Sequence, residues 1–196
     1  MSGASAPANA PCRALLSYND RLESRPLQQV DLVVLHATEL PDLALAREYG
    51  ERIHYPDSAT GNSGHFYIDR DGRTEQWVDL DRVAHHVVGY NQRSVGIELV
   101  NLGRYPAWLD SRHQHWQETV SAAQLASLLD LLERLRAELN NLRSIAGHAW
   151  LDTRSVPASD NPARQVRRKL DPGPDFPWDQ VIERSRLLAL GRPERG

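Results

Sequence analysis

Cysteine is almost missing from this chain: Cys12 stands alone among 196 residues. One thiol cannot close an internal disulfide, so the core must come from burial alone, which a chain of this length allows. Long apolar runs are absent as well, and no stretch approaches the roughly 20 residues of a membrane-spanning helix. The opening MSGASAPANAPC has neither the basic start nor the apolar stretch of a cleavable secretion signal. The expectation is a cytoplasmic protein, with a periplasmic or exported location as the alternative. Positive charge is not in excess: 23 Lys and Arg stand against 26 Asp and Glu, for a net charge of -3. That balance argues against a phosphate-driven nucleic-acid binder. No internal repeat is visible, and no H-E-x-x-H motif marks a metal site.

What is present suits one soluble α/β domain, with 40% hydrophobic and 25% charged residues. The expected division is a flexible leader over 1–13, a domain over 14–190 and a tail over 191–196. VDLVVLHAT reads as a buried central strand from Val30 to His36. LPDLALAREYGERI fits a helix with Leu43, Ala46 and Ile53 inward. GHFYIDRDGRTEQWV is a hairpin around Asp71-Gly72. In SVGIELV, the residues Val95, Ile97 and Leu99 alternate onto one face and leave Gly96 and Glu98 on the other. SAAQLASLLDLLERLRAEL is the clearest helix, opened by a Ser121/Gln124 capping box and striped with leucine. A last helix is expected from Trp178 to Leu190. Between Trp150 and Arg168 lies a polar stretch without periodicity, and loops of that size are functional or disordered. The architecture expected is a central mixed sheet flanked by helices.

Several residues could do chemistry. His36 ends the buried strand, His148 follows Gly147, and Asp171 sits in RRKLDPGPDFPW, where Pro172 enforces an extended turn. Two histidines and a carboxylate make a recognised catalytic zinc set. From distant segments, though, this triplet is one choice among many, and any single His is more often an ordinary core or surface residue. Glu98 is a carboxylate in a mostly apolar strand, either functional or paired with an arginine. Lys169 and Asp171, two apart in an extended segment, project to the same side.

VVLHAT, AHHVVGYN, RSVGIELVN, AGHAWLDTR and RKLDPGPDFPW occur in this order. Together they resemble the zinc-dependent N-acetylmuramoyl-L-alanine amidases of the type 2 family, over about Val30 to Trp178. Animal peptidoglycan-recognition proteins share that fold. The resemblance implies one zinc per chain held by His36, His148 and Asp171, with Glu98 as catalytic acid/base and Lys169 stabilising developing negative charge. It implies hydrolysis of the amide between the lactyl group of N-acetylmuramic acid and L-alanine, with peptidoglycan or a muropeptide as the partner substrate. His86 matches a substrate-contacting position, the alternative being that His85 and His86 cap a loop. His65 aligns with a histidine expected to line the cleft. Arg154, Arg164 and Arg167 are further candidates, reaching stem-peptide carboxylates from a polar stretch that walls the substrate channel. Two rival functions remain open: a peptidoglycan-binding module without catalysis, and a zinc peptidase acting within the stem peptide.

Overall fold

A computed structural model describes residues 10–194. Its strands are β1 (Cys12–Arg13), β2 (Leu32–Ala37), β3 (Phe66–Ile68), β4 (Thr74–Gln76), β5 (Ser94–Leu99), β6 (Ser144–Gly147), β7 (Ser155–Pro157), β8 (Gln165–Arg167) and β9 (Leu188–Ala189). The α-helices are α1 (Leu43–Gly50), α2 (Ala122–Glu138), α3 (His148–Leu151) and α4 (Trp178–Ser185). Seven strands form one sheet in the order β1-β4-β3-β5-β2-β6-β9. Only the β3–β4 hairpin is antiparallel, which makes the sheet mixed, as expected.

The period-two alternation of the strands decides what each face meets. Val33 and Leu35 of β2, Val95, Ile97 and Leu99 of β5, and Phe66 and Ile68 of β3 share a core with Leu128, Leu132 and Leu135 of α2. That helix starts at the expected capping box, in which Ser121 and Gln124 satisfy each other's backbone donors. On the opposite face Leu32 and Val34 pack with Val87 and Ala146. His36, two residues beyond Val34, belongs to this second face. The register pairs His36 with Glu98, Glu98 with Tyr67, and Leu35 with Gly147, the residue just before His148. Four polar side chains thus line up at the carboxyl ends of parallel strands, where open α/β sheets build their sites.

Four expectations are corrected. Cys12 and Arg13 pair with Glu75 and Gln76 as an edge strand, so the leader boundary at 13 falls too late; residues 1–9 lie outside the described residues. Ile53 is 47% exposed, because α1 ends at Gly50 before reaching it. The last helix stops at Ser185, where Arg186 turns left-handed at φ 56°, and Leu188–Ala189 pairs with β6 instead. The polar stretch is not structureless: β7 and β8 pair antiparallel within it, and Val166 is buried.

Candidate metal centre

β2 is buried along its whole length and delivers His36, 2% exposed, to the sheet's end. Gly147 closes β6, and His148 opens α3 directly after it. A Cβ on Gly147 would lie 2.8 Å from the Trp178 ring and 3.2 Å from Pro172, so glycine allows the Pro-rich turn to settle onto β6. The Ala149 N–H donates to the Asp171 carbonyl at 3.0 Å and ties that turn to α3. Three distant segments therefore converge. His36 Nδ1 lies 3.0 Å from His148 Nδ1 and 3.2 Å from Asp171 Oδ2, and His148 Nδ1 lies 3.0 Å from the same oxygen.

These spacings test whether a cation fits. Donors on a tetrahedral zinc at ~2.0–2.1 Å lie about 3.3–3.4 Å apart, close to the edges of this triangle. Asp171 Oδ1 is buried without a hydrogen-bond partner, one of two such side-chain atoms among the described residues. A buried carboxylate with an idle oxygen beside two imidazoles fits a cation-binding donor set. His36, His148 and Asp171 are also the group of His, Cys, Asp or Glu side chains whose ligand atoms gather close enough for a metal among the described residues.

Burial and then His148 push the His36 pKa down to about 4, so its imidazole is neutral and able to ligate. Burial works to raise the Asp171 carboxyl, but His148, His36 and Lys169 overcome it and hold it well below the usual range. Glu98 behaves oppositely. Burial, reinforced by Asp171, lifts its carboxyl to about 8 against the opposing field of Lys169. Glu98 Oε1 lies 3.9 Å from His36 Nδ1, but an uncharged imidazole does not make an ion pair with it. All of these groups open into one cleft of about 320 Å³, lined also by Lys169, Arg168, Tyr67 and Tyr55.

Comparison with known proteins identifies the family. The N-acetylmuramoyl-L-alanine amidase family model matches residues 26–174. The chain belongs to this family. It is 34% identical over 84 residues to an endolysin of Klebsiella phage KP32, a match covering 43% of this chain and 51% of the relative. The alignment thus spans about half the length of that curated relative. Among solved structures, the N-acetylmuramoyl-L-alanine amidase LysC from Clostridium intestinale URNW superposes with a TM-score of 0.64 at 20% identity, covering 91% of this chain and 98% of its own. The amidase AmiD from E. coli, in complex with anhydro-N-acetylmuramic acid-L-Ala-D-gamma-Glu-L-Lys, gives 0.61 at 22% identity, covering 85% and 60%. At such identities the likeness to the solved structures is one of fold.

Within the family frame, the structure sorts the other expected site residues. His65 does not reach the cleft. It is fully buried, its Nδ1 accepting from the Gly96 N–H at 3.0 Å and its Nε2 donating to the Arg82 carbonyl at 3.1 Å. Burial, then the neighbouring Arg25 guanidinium, hold its pKa well below the usual imidazole value. His86 does line the cleft, but both ring nitrogens have partners: Nδ1 is 2.9 Å from His36 Nε2, and Nε2 is 3.2 Å from Ser94 Oγ.

The three arginines do not line the cleft either. Arg154 grips the Asp152 carboxylate through Nε and one terminal nitrogen, both at 2.8 Å. Arg167 donates to the Ala149 carbonyl at 2.8 Å, and exposed Arg164 borders a separate depression with Ser111 and Gln114. The loop carrying them is fastened elsewhere, with the Ser159 N–H on the Leu109 carbonyl and Asp160 accepting from the Ser111 backbone N–H and hydroxyl. Its contribution to the cleft is Arg168, which also pairs with Asp152. Sequence reasoning missed Tyr67, Tyr55 and Asn91. Alternation in GHFYI was the available signal for Tyr67, which must face opposite Phe66 and Ile68. Asn91 lay in the quoted AHHVVGYN segment, and its side-chain oxygen accepts the His86 and Val87 N–H groups.

No helix among the described residues is long and apolar enough to cross a membrane.

Proposed function

We propose that the chain is a zinc hydrolase that cleaves the amide between the lactyl group of N-acetylmuramic acid and L-alanine of the peptidoglycan stem peptide. The observation that carries this reading is the convergence of His36, His148 and Asp171 on one cleft with Glu98 and Lys169, in a chain of the amidase family. Zinc held by those three donors would polarise the amide carbonyl and acidify a water molecule. Glu98 in its carboxylate form, which the charge of Lys169 favours and a bound cation would favour further, takes the proton from the attacking water and passes it to the leaving amine, which departs as the free N-terminus of L-alanine. A carboxyl raised to about 8 suits that second step, since it holds the proton firmly enough to deliver it near neutral pH. Lys169 opposes the charge that collects on the carbonyl oxygen as the tetrahedral centre forms. The products are the lactyl carboxylate and a free peptide.

All five functional positions being filled favours the enzyme over a module that only binds. Mass spectrometry of products from zinc-loaded protein and a muropeptide tests the reading. A free peptide beginning with L-alanine is the expected product. Cleavage at any bond inside the stem peptide would overturn it in favour of a peptidase, and intact substrate in favour of a binder.

A further inference from the structure

His86 has no idle ring nitrogen to offer a substrate, which raises the question of what holds it where it is. Its hydrogen bonds run in series. His36 Nε2 meets His86 Nδ1 at 2.9 Å, His86 Nε2 meets Ser94 Oγ at 3.2 Å, and Ser94 Oγ meets the Tyr90 carbonyl at 2.8 Å. The last member fixes the direction of every other. A carbonyl can only accept, so the Ser94 hydroxyl donates to it and must accept from His86. His86 therefore carries its proton on Nε2 and accepts on Nδ1, which leaves the proton of neutral His36 on Nε2. The lone pair of His36 then sits on Nδ1, the atom that faces His148 and Asp171.

A second observation, independent of the hydrogen bonds, points the same way. β5 has no side chain where the His86 ring lies. A Cβ on Gly96 would stand 2.7 Å from His86 Cγ and 2.8 Å from its Nδ1, closer than such atoms approach. The glycine leaves a slot for the ring, and Asn91 fixes the backbone on either side of it by accepting from the His86 N–H at 3.1 Å and the Val87 N–H at 2.8 Å.

We infer that His86 is a positioning residue for the metal centre, holding His36 in the tautomer and ring orientation that present Nδ1 to the cation, through a hydrogen-bond chain ordered from the Tyr90 carbonyl. Ser94 and Gly96 belong to the same device. This inference rests on the metal reading given under the proposed function. Partners of this kind fix ligand orientation and raise ligand basicity, and losing one costs about ten- to a hundredfold in metal affinity.

The test is zinc affinity by chelator competition, read beside the unfolding midpoint of the metal-free protein, for wild type, His86→Leu, His86→Gln, Ser94→Ala and Gly96→Ala. His86→Leu should bind zinc about ten- to a hundredfold more weakly. His86→Gln can still accept from His36 and donate to Ser94, so it should fall between Leu and wild type. Ser94→Ala and Gly96→Ala should weaken binding in the same direction, the former with little change in the metal-free midpoint. Unchanged affinity in His86→Leu would overturn the inference, as would equal losses in the Gln and Leu variants, which would point to ring packing instead. Should His86→Leu fail to fold, wild-type affinity in Ser94→Ala is the overturning result. Wild-type protein that takes up no zinc would overturn both this inference and the metal reading beneath it.

Discussion

Glu39 and Arg104 are buried about as deeply as His36, His148 and Asp171, yet the two groups are built on opposite terms. In the first, each charge is answered. Glu39 accepts from Arg104 Nε and a terminal nitrogen, both at 2.8 Å, and from the Arg104 backbone N–H at 3.1 Å. The rest of the guanidinium donates to Gln114 and to the carbonyls of Arg167 and Arg168. In the second, two imidazole nitrogens face each other at 3.0 Å and a carboxylate oxygen has no donor. Buried polar groups that answer one another hold a fold together; a buried set that does not is shaped for something else. The closed group also serves the open one, since Arg104 pins the backbone immediately before Lys169 and Asp171.

This contrast can be broken or sharpened by experiment, beginning with the largest effect. Alanine at His36, His148 or Asp171 should remove turnover and metal retention together while circular dichroism stays native, because a core of this size is self-supporting. Arg104→Ala should instead destabilise the protein by about 3–5 kcal/mol in denaturant titration, by stranding Glu39 as a buried unpaired charge. In metal-free protein Asp171→Ala should cost clearly less than that. If the two cost the same, the distinction between closed and open clusters fails.

Next come Glu98→Ala and Lys169→Ala, each expected to keep zinc and lower kcat roughly a hundredfold or more. Near-normal turnover in Glu98→Ala would reduce that carboxylate to a structural role. A smaller effect concerns pH. His65 stays neutral in the fold well below its ordinary value of 6.5, so beneath that pH the unfolded chain holds a proton that the native state lacks. Stability conferred by this neutral imidazole is present above pH 6.5 and is lost as pH falls, by about 1.4 kcal/mol per unit. His65→Gln should be less stable at neutral pH but show a slope shallower by one proton below 6.5. The smallest effect is expected from Arg164→Ala, an exposed change outside the cleft that should leave kcat/KM within about twofold. A large loss there would restore the polar stretch as a channel wall.

Much of this site could be read from the residues because the strands state their own faces. SVGIELV alternates so cleanly that Gly96 and Glu98 had to share a face, whereas the continuous apolar run of LVVLHA gives no such signal, and the register with β5 is what sets His36 beside Glu98. The family motifs then supplied the convergence of His148 and Asp171, which no local spacing reveals. What escaped the sequence was choice among near-equals. His65 and His86 are similar as letters, and only the folded positions of Gly96, Ser94 and Arg82 separate them. Arg154 and Arg167 were legible as cations, but partners such as Asp152 and the Ala149 carbonyl are set by tertiary structure. β7 and β8 escaped because strands of three residues each offer too little alternation to register as a pattern.

The central claim is that the open cluster is a metal centre whose ligands are separable from Glu98. Zinc per chain, measured by elemental analysis after exhaustive dialysis of wild type, Asp171→Ala and Glu98→Ala, tests it most directly. The account predicts one zinc in wild type, one in Glu98→Ala without turnover, and none in Asp171→Ala. Active wild-type protein free of zinc, or zinc retained in full by Asp171→Ala, would contradict it.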